Sequence, residues 1–243
     1  MFFQLLGEGA SDLGYSKDNP GPLVNALECL AKEKTDAPFE YDYVNDDDLK
    51  KATKNSSPKK MLYRGKKRTY PNLIFIQRTA EGLGSIARKT DNCGSVFFHD
   101  CDFTRSEVKS PDDYYRQMVV SIENGFAQAD YHNGVAMVPK PRSESWLLCR
   151  YQETPYHNCK RFEDLPGNDA SEKSGKKMLA EYFHCPENQI YEKINADDIE
   201  WNRIDAPSFV FFKNRFQHVV ERLTHQNATL KEPETLMSER EQV

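Results

Sequence analysis

The nine residues GSVFFHDCD at 94–102 constrain this chain more than any other stretch. Val96, Phe97 and Phe98 form a continuous apolar run, the pattern of a strand buried on both faces. The run stops abruptly in His99, Asp100 and Asp102. Two other short apolar runs end in the same manner. MFFQLL at 1–6 leads into Gly7, Glu8 and Gly9, and GVAMVPKP at 134–141 leads into SESWLLCRY at 143–151, a helix that carries Glu144. FEYDYVN at 39–45 alternates ring and polar residues and reads as a further strand.

Between these strands the period changes from two to that of a helix. In GPLVNALECLAKE, Leu23, Ala26, Leu27, Leu30 and Ala31 share one helical face, with Pro22 suited to the first turn. SPDDYYRQMVVSIENGFAQA at 110–129 reads as a helix with Ser110 as N-cap and Pro111 in its first turn. LIFIQRTAEGLGSIARKT at 73–90 is expected to begin as a short strand and become a helix around 76–89. Gly-rich GEGASDLG at 7–14 reads as a strand-to-helix turn. Strand, helix, strand, helix predicts an α/β domain with a mainly parallel sheet flanked by helices. A core over 1–150 carries a helix and an exposed basic loop near 46–70. A helical C-terminal part of the same domain follows over 151–226, with an amphipathic helix starting near Ser208, and 227–243 reads as a tail.

Composition agrees with a packed, soluble domain. Fourteen Phe and twelve Tyr exclude a disordered chain. No stretch approaches a membrane span, and the N-terminus turns polar too soon for a signal peptide, so a cytoplasmic protein with reduced thiols is expected. The six cysteines contain no CxxC pair. His157, Cys159, His184 and Cys185 match no compact zinc pattern, and independent roles are expected for them. The formal net charge of −5 lacks the basic excess usual for nucleic-acid binders, although residues 49–68 carry Lys and Arg and no acid.

Chemistry concentrates at the strand ends. In a parallel sheet the carboxyl ends of neighbouring strands meet at one edge, where ligands bind. Glu8, Asp100, Asp102 and Glu144 would converge there and repel one another unless protons or a cation compensated, and oxygen ligands in that number suit Mg²⁺ or Mn²⁺. Asp100 and Asp102 point the same way if the strand continues through them. Lys140, Arg142 and Arg105 could neutralise an anionic substrate, and His99 could act as a base. Each residue also has a plainer role: a helix cap, a first-turn acid, a surface ion pair. Asn168, Asp169 and Ser171 in LPGNDAS are expected to cap the next helix, with a loop over the site as the alternative. Trp146, Leu147 and Leu148 read as core.

LLGEGASDLG and FFHDCDFTR resemble the two acidic motifs of Toprim proteins, a strand ending in Glu-Gly and a strand ending in Asp-x-Asp. The wider text EGASDLG, GPL, FFHDCDFTR, MVPKPRSESWLLC and LPGNDAS, spanning roughly residues 1–210, is similar to a family of prokaryotic Toprim-like proteins of unassigned function. The resemblance implies a Toprim-like core, Glu8 as metal ligand or general acid/base, Asp100 and Asp102 as a metal-binding pair, and Asp12 as a further acid. Phe103 and Thr104 stand where many Toprim proteins place Gly. The function implied is a Mg²⁺- or Mn²⁺-dependent nuclease acting on DNA or RNA, with Glu8, Asp100 and Asp102 as catalytic residues, to which the position of Lys140 before Glu144 adds a fourth. Relatives of this type often work beside an ATPase in phage defence. The rival expectation is a non-catalytic regulatory or binding subunit of an ATPase-containing complex. A homodimer is compatible with either, and no GxxxxGK[ST] loop is present to make this chain the ATPase.

Overall fold

The structure is a computed structural model that describes residues 1–8, 12–54, 70, 72–102 and 110–238. Only the backbone is described for Tyr15, Ala196 and 226–238. Its centre is a four-stranded parallel sheet of β1 (Phe2–Gly7), β4 (Glu40–Tyr43), β5 (Cys93–Phe98) and β6 (Gly134–Met137), in the order β4-β1-β5-β6. Phe3 of β1 lies opposite Tyr41 and Gly94, and Phe98 lies opposite Gly7 and Met137. The mainly parallel sheet expected from the strand–helix alternation is therefore present.

Both faces of the sheet are covered, and the strand period distributes the side chains between them. Phe3, Leu5, Val96, Phe98, Val135 and Met137 enter one core. Leu6, Cys93, Phe97, Ala136 and Val138 enter the other. The first core is closed by α1 (Pro22–Lys32), the short α5 (Glu144–Leu147) and the long α8 (Pro207–Ser238). α8 presents Phe209, Phe212, Phe216, Val219, Val220 and Leu223 at helical spacing, all fully buried. Trp146 stacks on Phe212 with ring centroids 5.7 Å apart and meets Phe209 edge-on at 5.0 Å. Its indole nitrogen donates to Ser208 Oγ at 2.8 Å, so the polar end of a buried ring is satisfied.

The second core is closed by α3 (Asn72–Ala87) and α4 (Pro111–Gln128). α3 is helical from its start, so the short strand expected near 73 is absent. Leu73, Ile76, Ala80, Leu83 and Ala87 are buried at a helical period, whereas Ile74 and Phe75 are exposed. The apolar run of four resembled a strand, but the burial pattern of sixteen residues decides the element. α4 begins as expected, with Ser110 Oγ accepting from the Asp113 amide at 3.3 Å.

α2 (Asp46–Lys54) supplies the expected helix after β4, while the basic loop lies mostly in 55–69, outside the described residues. A two-stranded hairpin, β2 (Gly14–Ser16) with β3 (Asn19–Pro20), intervenes between β1 and α1 where a simple turn was expected. α6 (Gly175–Phe183) and α7 (Ile190–Lys193) lie in the C-terminal part. α8 continues to Ser238, into the stretch expected to be a tail.

One correction concerns cysteine. Cys149 and Cys159 form a disulfide with Cα atoms 5.0 Å apart, against the expectation that all thiols are reduced. Cys29, Cys93, Cys101 and Cys185 are free. No helix of the described residues is long and apolar enough to cross a membrane.

Candidate functional site: a carboxylate cluster at the sheet edge

The chain leaves β1 for the β4 side of the sheet, and leaves β5 for the β6 side. The carboxyl ends of β1 and β5 therefore flank the point where the strand order reverses, the usual ligand crevice of an open α/β sheet. Glu8 follows β1 and Asp100 follows β5. Their contact is direct: the Asp100 amide donates to Glu8 Oε1 at 2.7 Å.

Regular strand geometry ends at Phe98, but the backbone stays laddered to the segment after β6. The His99 amide donates to Met137 O and the Cys101 amide to Pro139 O, both at 3.1 Å. Alternation therefore persists past the strand. Cys101 is fully buried in the α3–α4 core, while Asp100 and Asp102 reach the polar cluster.

Asp100 is the hub. Its Oδ1 accepts from the Ser143 amide at 3.0 Å. Burial holds its carboxyl well above the usual carboxylate range, and the charges of Asp12, Glu144, Asp102 and Glu8 push it further up. Asp12 is buried, and its Oδ1 accepts from Ser143 Oγ in a short hydrogen bond and from Tyr191 Oη at 3.1 Å. The hairpin positions Asp12: Gly14 adopts φ +82°, and a Cβ at Gly21 would lie 2.1 Å from Asp12 O. Glu144 opens α5, is 5% exposed, and its Oε1 faces Tyr191 Oη at 3.3 Å. Burial pushes its carboxyl up; a hydrogen bond from its own backbone pulls it down, Asp12 adds repulsion and Arg142 opposes. Burial, with the Asp12 and Glu144 charges, raises the Tyr191 phenol well above its ordinary value, so it stays a neutral donor between two acids.

A second group lies beside the first. Arg142 binds Asp102 through Nε, in a short bond to Oδ1, and through Nη2 to Oδ2 at 2.7 Å. It also donates to Asp169 Oδ2 at 2.9 Å and to Gly167 O at 3.0 Å. Burial pushes the Asp102 carboxyl up, against the pull of Arg142. His99 Nδ1 lies 2.8 Å from Asp100 O and 3.2 Å from Glu8 Oε1. Two oxygens at Nδ1 favour its proton there, leaving Nε2 as the acceptor.

The structure thus brings Glu8, Asp12, Asp100, Asp102 and Glu144 to one edge. Lys140 does not join them: its ammonium pairs with Asp112 Oδ1 on α4. Arg105 lies outside the described residues. The LPGNDAS segment does not cap the next helix, because Ser174 accepts from the Lys177 amide at 3.3 Å and performs that role. Asn168 Oδ1 instead accepts locally from the Ala170 amide, and Asp169 reaches Arg142. Sequence reasoning missed Tyr191, Ser143 and the Asp169–Arg142 contact; no motif announces Tyr191.

Among the described residues, the group whose ligand atoms all lie within 4.8 Å of one another is Cys149, Cys159 and Asp205, with both cysteines in the disulfide. The expected four-residue set of His157, Cys159, His184 and Cys185 is not gathered. Glu8, Asp100, Asp12 and Glu144 are linked through the Asp100 amide, Ser143 and Tyr191, and Asp102 lies beside them on Arg142, but the five are not closed into a chelate of that tightness. Their donor chemistry, oxygen throughout with Asp100 made basic by burial and by its acidic neighbours, fits a hard divalent cation.

Compared with models of protein families, with curated proteins and with solved structures, the chain matches none.

Proposed function

We propose that the chain is a Mg²⁺- or Mn²⁺-dependent nuclease that hydrolyses phosphodiester bonds in DNA or RNA on a Toprim-like core. The observation that carries this reading is Asp100. Burial, reinforced by four other carboxylates, raises its proton affinity at the strand-order reversal, a costly arrangement that a cation would relieve. Glu8, Asp12, Asp100, Asp102 and Glu144 would hold the cation. When bound, it supplies Lewis-acid stabilisation of charge on the phosphate.

The chain's own residues do the rest. His99 Nε2 is free of the two contacts that occupy Nδ1 and can take a proton from an attacking water. Arg142 carries a planar fork of donors suited to phosphate oxygens. Ser143 and Tyr191 orient Asp12, and the Ser143 amide orients Asp100. In a cell this activity would act on cytoplasmic nucleic acid, as the toxic effector of a phage-defence system with an ATPase partner.

The test is cleavage of plasmid DNA, single-stranded DNA and total RNA with Mg²⁺ or Mn²⁺, beside Glu8→Ala and Asp100→Ala, with metal binding followed by calorimetry. Cleavage that needs metal and disappears in both variants is expected. Absence of both cleavage and metal binding would overturn the reading. It would favour a binding subunit instead, the role to which the net charge of −5 is better suited.

A further inference from the structure

A cavity of about 800 Å³ lies beside the carboxylate site on the α4 side. Lys140 lines it, and two residues later Arg142 enters the carboxylate cluster, so one short stretch of chain separates the two. One wall is a face of α4, where Asp112, Tyr115, Arg116, Val119 and Glu123 recur at three- and four-residue spacing. Between Asp112 and Glu123 the helix rises roughly 16 Å. The other wall combines the 3₁₀ turn Cys159–Asp164, through Lys160 and Glu163, with the first turns of α8, through Pro207 and Phe211.

The two ends differ in chemistry. Lys140, Arg116 and Lys160 gather at the start of α4, where all three charges act on Asp112 and hold its carboxyl below the usual range. Lys140 is only 7% exposed. Its ammonium has three N–H groups, yet among the described residues its one acceptor is Asp112, a side chain that is itself 67% exposed. A buried ammonium with donors to spare is costly unless an anion completes its shell. The nearby Glu163 is already committed, since its Oε1 accepts from the Ser208 amide at 2.6 Å. Farther along, Phe211 leaves 45% of its surface exposed in a wall shared with Tyr115, Val119 and Val120. Glu123 stands at the far end, near Arg215, as an acceptor for amino or hydroxyl groups.

Three cations set among Asp112, Glu163 and Asp164 at one end, a ring-bearing apolar wall and an acceptor at the other fit one ligand class. Inorganic phosphate would use only the first feature, and a hydrocarbon chain would leave the charges unmatched. We propose that this cavity binds a nucleoside phosphate, with its phosphate on Lys140, Arg116 and Lys160 and its base against Phe211 and Tyr115. The guest is either a free nucleotide or one nucleotide of a strand that continues towards the carboxylates. Only the second source rests on the cleavage reaction proposed above.

Calorimetry on the full chain without metal tests this, using AMP, GMP, CMP and UMP, inorganic phosphate, and a short single-stranded oligonucleotide. At least one nucleoside monophosphate is expected to bind saturably and more tightly than phosphate. The double variant Arg116→Ala/Lys160→Ala and the single variant Phe211→Ala should each raise Kd by about tenfold or more while thermal unfolding stays unchanged. Competition between mononucleotide and oligonucleotide would assign the strand to the same cavity, and binding of the mononucleotide alone would assign a free nucleotide. No nucleotide binding, affinity indifferent to both variants, or phosphate binding as tightly as the nucleotides would overturn the proposal. Because no step requires cleavage, its failure is distinguishable from failure of the nuclease reading.

Discussion

Arg142 grips both carboxylate oxygens of Asp102, through Nε and Nη2. The same guanidinium holds Asp169 and the Gly167 carbonyl, so one side chain joins the end of the β5 segment to the loop after the 3₁₀ turn. The acid that the Asp-x-Asp spacing offered to a metal thus has an internal cation as its partner. Any ligand that recruits Asp102 must compete with this planar, bidentate contact.

Arg142→Ala should therefore destabilise the chain by about 1–2 kcal/mol, the range for losing a partly exposed charge-assisted pair. It should also release 167–170, seen as faster amide exchange in that segment. Arg142→Lys should not restore protection there, because an ammonium does not reproduce the fork. Unchanged exchange in Arg142→Ala would show that the loop is held by other contacts.

Asp100 makes stability depend on pH. Burial, with the charges of Asp12, Glu144, Asp102 and Glu8, holds its folded carboxyl well above the ordinary carboxylate range, so the folded state holds its proton more tightly than the unfolded state does. In the interval from about pH 4 up to the folded value, the folded chain binds more protons, and stability falls as pH rises through it. Ionising the buried carboxyl above that interval therefore costs stability. Asp100→Asn keeps an oxygen for the Ser143 amide and removes the charge. Its melting temperature should exceed that of the wild type at pH 8, with the difference closing towards pH 4, while metal binding falls. Equal melting temperatures across this range would contradict the assignment.

Tyr191→Phe removes the hydroxyl placed between Asp12 and Glu144. Loss of a buried donor to acidic partners should cost about 1–3 kcal/mol in urea unfolding. The cost should be larger at pH 8 than at pH 5, because Glu144, whose carboxyl is raised by burial, is then more fully ionised. A pH-independent cost would assign Tyr191 a packing role alone.

The Cys149–Cys159 bond closes a loop with a sequence separation of 10. Its reduction should lower stability by roughly 2–3 kcal/mol on the loop-entropy estimate. Alkylation of the denatured, unreduced chain should label four cysteines, matching the free set of Cys29, Cys93, Cys101 and Cys185. Six labelled cysteines would show the bond to be absent.

Local pattern was enough for much of this protein. The apolar runs at 2–7, 93–98 and 134–137 are strands because period and burial are written in consecutive residues, and Ser110-Pro111 starts α4 for equally local reasons. Parallel pairing then carries Glu8, Asp100 and Glu144 to one edge, so the candidate cluster was legible from where its acids stand after the strands. The partners of those acids were not. Lys140 and Arg142 are two residues apart in the same polar stretch, yet one turns to Asp112 and the other to Asp102 and Asp169. Tyr191 reaches Asp12 across 179 positions. Hydrogen-bond and ion-pair choice depends on distances set by the packing of α4, α5 and α7 around the sheet, and the disulfide depends on two Cα atoms meeting. Sequence determined which elements form and which edge gathers the acids, because those follow from neighbours along the chain. Tertiary structure alone decided which donor answers each acid, because those neighbours are brought together only by the fold.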